Sequence, residues 1–288
     1  MRYTTFARRP ALRRPFLVAA FEGWNDAGES ATTALKFVAS ALDAETFAQV
    51  DPEEFYDFQQ VRPTVRLADG GRRRIDWPTI EFQAVHLLGG ERDLVMLRGH
   101  EPSLRWRTFA KEVLELGEEL GVEMVVTLGA LLADVPHTRP VQVVGSAADP
   151  ALADRLGLAT SRYEGPTGIL GVLGDAALQG SLPAVSLWAA LPHYVQASPN
   201  PRAALALVER LGSLLSLSLD TGELVDATAA FDATVADIVA DDPELVGYVR
   251  RLEAEADQEG SSLADLPPDQ LVAEVERFLR DHPGGGRP

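Results

Sequence analysis

Apolar and polar positions along the chain follow two patterns in turn, which predict strands followed by helices. Residues 16–21 form a continuous apolar block after Pro15, typical of a strand buried on both faces. The next apolar positions recur at helical spacing from residue 31 to residue 42, and Asn25 or Asp26 can cap that helix. The first fifty residues therefore predict a strand, a tight loop and a helix.

Further segments repeat this alternation and predict an α/β fold. Apolar runs predict strands at residues 47–50, 81–87, 93–97, 124–128, 141–145 and 183–190, and amphipathic spacing predicts helices at 104–120, 169–179 and 201–219. Residues 64–67 and 72–76 flank the turn sequence Asp69-Gly70-Gly71 and predict a hairpin. Its cluster of Arg72, Arg73 and Arg74 is typical of a charged edge that blocks strand addition.

No strand pattern follows residue 190, and this change suggests a second region. Helical patterns occupy residues 223–240, 243–257 and 268–280. Residues 219–288 carry 17 Asp and Glu against 5 Lys and Arg, and so hold −12 of the net charge of −17. We expect an α/β domain over residues 1–220 and an acidic helical region over residues 221–288. That region is either a solvated acidic surface or a docking tail.

Composition excludes several classes of protein. A net charge of −17 argues against a nucleic-acid binder, because a phosphate backbone requires a positive face. The absence of cysteine excludes disulfides, thiolate catalysis and cysteine-ligated metals. No apolar run is long enough to span a bilayer, and the block at residues 16–21 is too short for a secretory signal. We expect a cytoplasmic protein that does not bind membranes.

Polar residues follow several of the predicted strands and form the candidate ligand site. Ligands of open α/β sheets bind outside the carboxyl ends of strands, so the loops after residues 21, 97, 128 and 162 are expected to converge at one edge. The candidate ligand-binding residues are Glu22, Gly23, Asn25, Asp26, Arg98, His100, Glu101, His137, Glu164 and Thr167. A purely structural loop after residue 21, and an Arg98–Glu101 ion pair that braces its loop, are the alternatives.

Two of these loops have more specific interpretations. The segment around Glu164 and Thr167 opens the helix at 169–179, whose N-terminus favours an anion or a carbonyl group, although Thr167 can also serve simply as the N-cap. His137 lies in the segment 129–140, which is predicted to be irregular. Motifs for a catalytic triad, a bound metal, a dinucleotide or a P-loop nucleotide are lacking, so neither a cofactor nor a metal is predicted.

Five ordered segments of the chain resemble the PAC2 family of proteasome-assembly-chaperone-like proteins. They are FEGWNDAG at 21–28, LRGHEP at 97–102, TLGALLADVPHTRP at 127–140, YEGPTG at 163–168 and SLWAALPHY at 186–194. The resemblance implies a three-layer α/β/α sandwich akin to the nucleoside phosphorylase fold, and self-association, often as trimers. It provides no established catalytic residues. The acidic helical tail resembles the extra region of bacterial members.

Two classes of function are compatible with this resemblance. The first is a binding or assembly protein, similar to the eukaryotic relatives that hold proteasome α-subunits, with the hairpin and the acidic tail as contacts. The second is a phosphorylase-like enzyme with a cleft formed by the candidate residues. Binding is favoured because the phosphate-binding groups are reduced to Arg98 and Arg139, and whether the chain is an enzyme stays open. Aromatic residues near loop ends, such as Trp77, Trp188 and Tyr194, are expected to be exposed in the monomer and covered in a homotrimer.

Overall fold

Strands and helices alternate along most of the chain. The computed structural model describes residues 3–68, 71–87, 89–161, 163–195 and 197–263. The strands in these ranges are β1 (Thr4–Phe6), β2 (Phe16–Glu22), β3 (Glu45–Val50), β4 (Thr64–Leu67), β5 (Arg73–Asp76), β6 (Ile80–Val85), β7 (Leu94–His100), β8 (Met124–Ala133), β9 (Val143–Ala147), β10 (Ala159–Thr160) and β11 (Ala184–Pro192). The helices are α1 (Ser30–Ala41), α2 (Trp106–Leu120), α3 (Pro150–Leu156), α4 (Ile169–Gln179), α5 (Pro201–Leu215), α6 (Gly222–Ala240) and α7 (Pro243–Leu263).

Nine of the strands form one mixed sheet in the order β1-β3-β6-β7-β2-β8-β11-β9-β10. The central strands β7, β2, β8 and β11 are mutually parallel, whereas β3, β6 and β9 join the sheet by antiparallel pairing. Strands β4 and β5 form the predicted hairpin as a separate two-stranded sheet. Because the central strands are parallel, their carboxyl ends meet at one edge of the sheet.

Helices cover both faces of the sheet, as strand β2 illustrates. Its residues Val18 and Ala20 belong to a core with residues of α1 and α5, whereas Leu17 and Phe21 belong to a second core with residues of α2 and α4. These four side chains are at most 1% exposed. Successive side chains of a strand point to opposite faces, so a continuous apolar block is what burial on both sides requires. The predicted α/β class is confirmed.

Some boundaries differ from those predicted. Strand β8 continues to Ala133 because β11 pairs with it in parallel as far as Pro192, so the prediction that residues 129–133 are irregular is wrong. Strand β7 likewise reaches His100 through its pairing with β2. Helix α3 and strand β10 were not predicted. The signal for α3 is the pair Asp149-Pro150, in which Asp149 accepts a hydrogen bond from the backbone N–H of Ala151, with Gly157 as the left-handed C-cap.

Helices α6 and α7 pack against the α/β body. Leu224 is buried in the core that contains α1 and α5, and Val235, Val239 and Val249 form a smaller cluster. Arg202 of α5 pairs with Asp232 of α6. The third predicted helix, at residues 268–280, lies outside the described residues. Within the part of the chain that is described, no helix has the length and apolar character needed to cross a membrane.

We expect a chain that ends at Asp220 to fold without helices α6 and α7. In the described residues the sheet is complete at β11, so the truncation removes no strand pairing, and its cost is the apolar area docked on α5, at most about 25 cal/mol per Å². Thermal unfolding should remain cooperative with a lower midpoint. An insoluble product or a non-cooperative transition would place the helices within the folding unit.

Candidate functional site

The predicted loops reach the same edge of the sheet. Glu22 and His100 are register partners at the ends of the parallel strands β2 and β7. The backbone N–H of Ala130 in β8 donates to the carbonyl oxygen of Asn25 (2.8 Å), which ties the loop after β2 to the neighbouring strand. The loops after β2 and β7 therefore meet as predicted, and hydrogen bonds described next connect the start of α4 to them. The loop after β8 begins only after Ala133 and places His137 in a separate cavity, so the predicted convergence does not include it.

Glu101 connects the loop after β2 with the start of α4. One of its carboxylate oxygens, Oε1, accepts a hydrogen bond from Asn25 Nδ2 (2.8 Å) and another from the backbone N–H of Ile169 at the start of α4 (2.8 Å). Desolvation raises the pKa of Glu101, and these two hydrogen bonds only partly oppose it. The predicted Arg98–Glu101 ion pair is wrong, because Arg98 lies opposite Glu81 across β6 and β7 and donates to that carboxylate instead (3.0 Å).

Thr167 does not cap α4 as predicted. The N-cap residue is Gly168, which has no side chain, and the carboxylate of Glu101 takes the capping role from another strand. Thr167 and Glu164 are both exposed. Asn25 is 1% exposed, and its Oδ1 atom is buried without a hydrogen-bond partner among the described residues. An acceptor of this kind favours a ligand or water that donates a hydrogen bond.

A second group of polar residues surrounds Glu22. Its carboxylate contacts Lys36 Nζ (2.9 Å) and His100 Nδ1 (3.1 Å). Burial opposes ionisation of Glu22, but the hydrogen bond from Lys36 and the charges of His100, Lys36 and Arg98 outweigh it, so its pKa lies below the ordinary value. These residues and Trp77 line a cavity of about 210 Å³.

Asp26 organises the start of α1. Its carboxylate accepts hydrogen bonds from the backbone N–H groups of Ala31 (2.7 Å) and Thr32 (3.2 Å), and from the Thr32 hydroxyl. Asp26 is thus not the N-cap residue of α1, which is Glu29, but its carboxylate satisfies the first-turn N–H groups that the predicted cap would satisfy. Desolvation raises the pKa of Asp26 to about 6, although hydrogen bonds from Thr32 and Ala31 oppose the shift. Gly23, with a positive φ of 124°, allows the loop to turn back so that its carbonyl oxygen accepts from the Asp26 backbone N–H (3.0 Å).

His137 lies in a separate cavity of about 320 Å³ between the body and α7, which Arg139 and Leu252 also line. The hydroxyl of Tyr194 contacts both the backbone N–H (2.8 Å) and Nδ1 (2.9 Å) of His137. Desolvation and the charge of Arg202 lower the pKa of His137. The guanidinium of Arg139 donates to both carboxylate oxygens of Asp257 in α7 (2.7 and 2.6 Å).

Six of the ten candidate residues line three separate cavities. Glu22, Arg98 and His100 line the first, Asn25 and Thr167 line another of about 240 Å³, and His137 lines the third. Their role in ligand binding stays a prediction. Among the described residues, no three His, Asp or Glu side chains are grouped in a way that could hold a metal ion.

An aromatic cluster beside α7 was not predicted. Tyr248 of α7 packs edge-on against His193 and Tyr194, with ring centroids 5.5 and 5.9 Å apart, and donates to Asp134 (2.9 Å). Of the three aromatic residues expected to be exposed, Trp77 is 50% exposed. Tyr194 and Trp188 are half-buried, Tyr194 within this cluster and Trp188 over the bare backbone of Gly129. Their position near loop ends gave no indication of these contacts.

Comparison with known proteins identifies the family. The sequence matches the PAC2 family over residues 20–239. The chain belongs to the PAC2 family. No curated protein matches this PAC2 protein.

Solved structures of similar proteins share its fold. A PAC2 family protein from Streptomyces avermitilis is 53% identical, with 82% of this chain and 99% of the other covered and a TM-score of 0.76. A proteasome-assembly chaperone homologue from Mycobacterium tuberculosis is 44% identical, with 81% and 99% covered and a TM-score of 0.75. A Mycobacterium tuberculosis protein of unknown function is 28% identical, with 98% and 97% covered and a TM-score of 0.84.

Substitution of Gly168 tests the packing around the carboxylate of Glu101. An added Cβ would lie 2.4 Å from Asn25 Oδ1 and 2.7 Å from Glu101 Oε1, so Gly168→Ala should reduce the free energy of unfolding by about 1–3 kcal/mol. Gly174→Ala is the matched control, because its Cβ meets nothing within 4 Å and a helical alanine should add up to about 1 kcal/mol. Equal unfolding midpoints in urea for both variants would contradict the packing described.

Asp26 should make stability depend on pH. Its pKa rises from about 4 in the unfolded chain to about 6 in the folded protein. The folded state therefore binds more protons between these values, and Asp26 lowers the free energy of unfolding as the pH rises from 4 to 6, by about 2–3 kcal/mol in all. Asp26→Asn should remove this component, whereas Asp43→Asn on the exposed turn after α1 should not. Parallel pH profiles for wild type and Asp26→Asn, measured by urea unfolding, would contradict this assignment.

Proposed function

We propose that this protein binds other protein chains and assists their assembly, as a chaperone-like PAC2 protein. The observation that carries the proposal is the 44% identity to the Mycobacterium tuberculosis proteasome-assembly chaperone homologue over 99% of that chain. The clients that this similarity favours are subunits of a proteasome, in particular the α-type subunits held by the eukaryotic relatives.

The polar groups at the edge of the sheet support binding over phosphorolysis. A phosphorylase requires basic groups that are free to hold phosphate. Arg98 donates to Glu81, and Arg139 is held by both oxygens of Asp257. Both arginines of the expected phosphate site are therefore neutralised by carboxylates of the same chain.

One observation favours a small-molecule role as the second candidate. The unpartnered Oδ1 of Asn25 belongs to a residue that lines the 240 Å³ cavity, which Trp24 and Trp188 flank. A small molecule with a hydrogen-bond donor and an apolar body suits such a cavity. This second candidate includes the possibility of an enzyme with a fold like that of the nucleoside phosphorylases.

The remaining expectations belong to the same proposal. We propose that the protein acts in the cytoplasm as a homotrimer, since closed symmetry would cover apolar patches that the monomer exposes. The division into a body over residues 1–220 and an acidic helical region over residues 221–288 is retained as a proposal.

The test uses the α-type proteasome subunits of the same organism. We expect the purified protein to bind them with micromolar affinity or tighter, measured by calorimetry, and to accelerate the appearance of α-rings on native gels. Absence of binding together with an unchanged assembly rate would overturn the assembly role. Phosphate-dependent cleavage of a nucleoside by the same preparation would establish the enzyme instead.

A further inference from the structure

The β4–β5 hairpin exposes an apolar face. Val65 lies directly opposite Ile75, and such pairs share one face of an antiparallel ladder, together with Leu67 two residues along β4. Val65, Ile75 and Leu67 are 58%, 51% and 75% exposed, and Trp77, which follows β5, is 50% exposed. Contiguous exposed apolar side chains on one face mark an interaction surface. We call residues 62–77 the hairpin arm.

The hairpin arm is basic in an acidic protein. Residues 62–77 contain five arginines against Asp69 and Asp76, a net charge of +3, whereas the whole chain carries −17. Arg66 and Arg74 both contact Asp76. Arg72 and Arg73 are exposed, and neither has an ion pair within the part of the chain that is described. A partner of the arm should therefore combine an apolar surface with negative charge.

The outer face of α6 has that combination. Residues 220–244 contain eight Asp and Glu and no Lys or Arg. The exposed face of this helix is a stripe at helical spacing formed by Asp226, Ala229, Ala230, Ala233, Ala236, Asp237 and Ala240, with exposed Val225 (49%) beside it. The small alanine side chains leave the apolar surface of the helix accessible. In the described ranges, the one ion pair of α6 joins Asp232 to Arg202, so the acidic stripe is unneutralised.

We propose that the hairpin arm of one copy docks on the outer face of α6 in a second copy. Each of the two surfaces combines apolar side chains with charges of a single sign. The arm is positive and the α6 face is negative, and both surfaces belong to the same chain. Within one molecule the two surfaces share no hydrogen bond or ion pair among the described residues, so both are available to another copy. The contact joins two different surfaces and is heterologous, and its closure around a threefold axis gives the trimer proposed above, on which this inference rests.

Charge exchange tests the pairing in the full-length protein. The variant Arg72→Glu/Arg73→Glu reverses the charge of the arm, and Asp226→Arg/Asp237→Arg reverses the charge of the stripe on α6. All four positions are exposed, so circular dichroism should show an unchanged fold. Each double variant should raise the dissociation constant of self-association at least about tenfold, as light scattering across a concentration series reports. The quadruple variant, in which both signs are exchanged, should regain the wild-type mass.

Two controls isolate the contact. Leu67→Asp in the arm should also weaken self-association, whereas Leu178→Asp, at another exposed leucine (46%), should not. Arg107→Glu, at an exposed position of α2, changes the net charge by as much as one of the two arm substitutions and should leave the mass unchanged.

The outcomes separate this inference from the function proposed above. A wild-type oligomer whose mass no variant alters, or a quadruple variant that stays dissociated, overturns the arm–α6 contact and leaves the oligomer in place. A wild-type monomer at every concentration overturns both the trimer and the contact. Loss of α-subunit binding by the arm variants, with no change in mass, would assign the arm to the client protein and overturn self-docking.

Discussion

The parallel pairing of β7, β2, β8 and β11 determines where the polar residues of this protein lie. Four carboxyl ends meet at one edge, and the loops that follow them lack the continuous hydrogen-bond ladder of a strand, although the loop after β2 keeps a backbone bond to Ala130 of β8. Their buried polar groups must therefore bind one another. Glu101 meets this requirement for the Asn25 side chain and the first N–H of α4, and Asp26 meets it for α1. The edge is held together by carboxylates that accept from neighbouring segments.

Acidic residues of α6 and α7 form ion pairs with arginines of the α/β body. Asp232, Glu253 and Asp257 contact Arg202 and Arg139, the basic residues closest to the third cavity. Part of the acidity that sequence composition assigns to a solvated surface or a docking tail therefore neutralises arginines of the body. On α6, the exposed Asp226 and Asp237 have no ion pair among the described residues.

Periodicity was sufficient to predict the class of fold because burial on both faces leaves an unambiguous signature, as in residues 16–21 of β2. Amphipathic spacing predicted the positions of α1, α2 and α4, and the turn sequence Asp69-Gly70-Gly71 predicted the hairpin, because both signals are local. It could not predict the partners of the polar residues. Arg98 binds Glu81 through strand register, and Glu101 takes the capping role expected of Thr167, because both contacts depend on which strands are neighbours. The cluster of Tyr194 and Tyr248 likewise required the docking of α7.

The cap of α4 has a consequence for the order in which the chain folds. Glu101 and Ile169 are 68 residues apart in sequence, and most of that interval must be closed into a loop before the carboxylate can reach the helix. A helix of eleven residues is marginal in isolation, and α4 has no capping side chain of its own. We therefore expect the first turn of α4 to consolidate after β7 has joined β2, so that α4 forms late in folding and does not act as a nucleus.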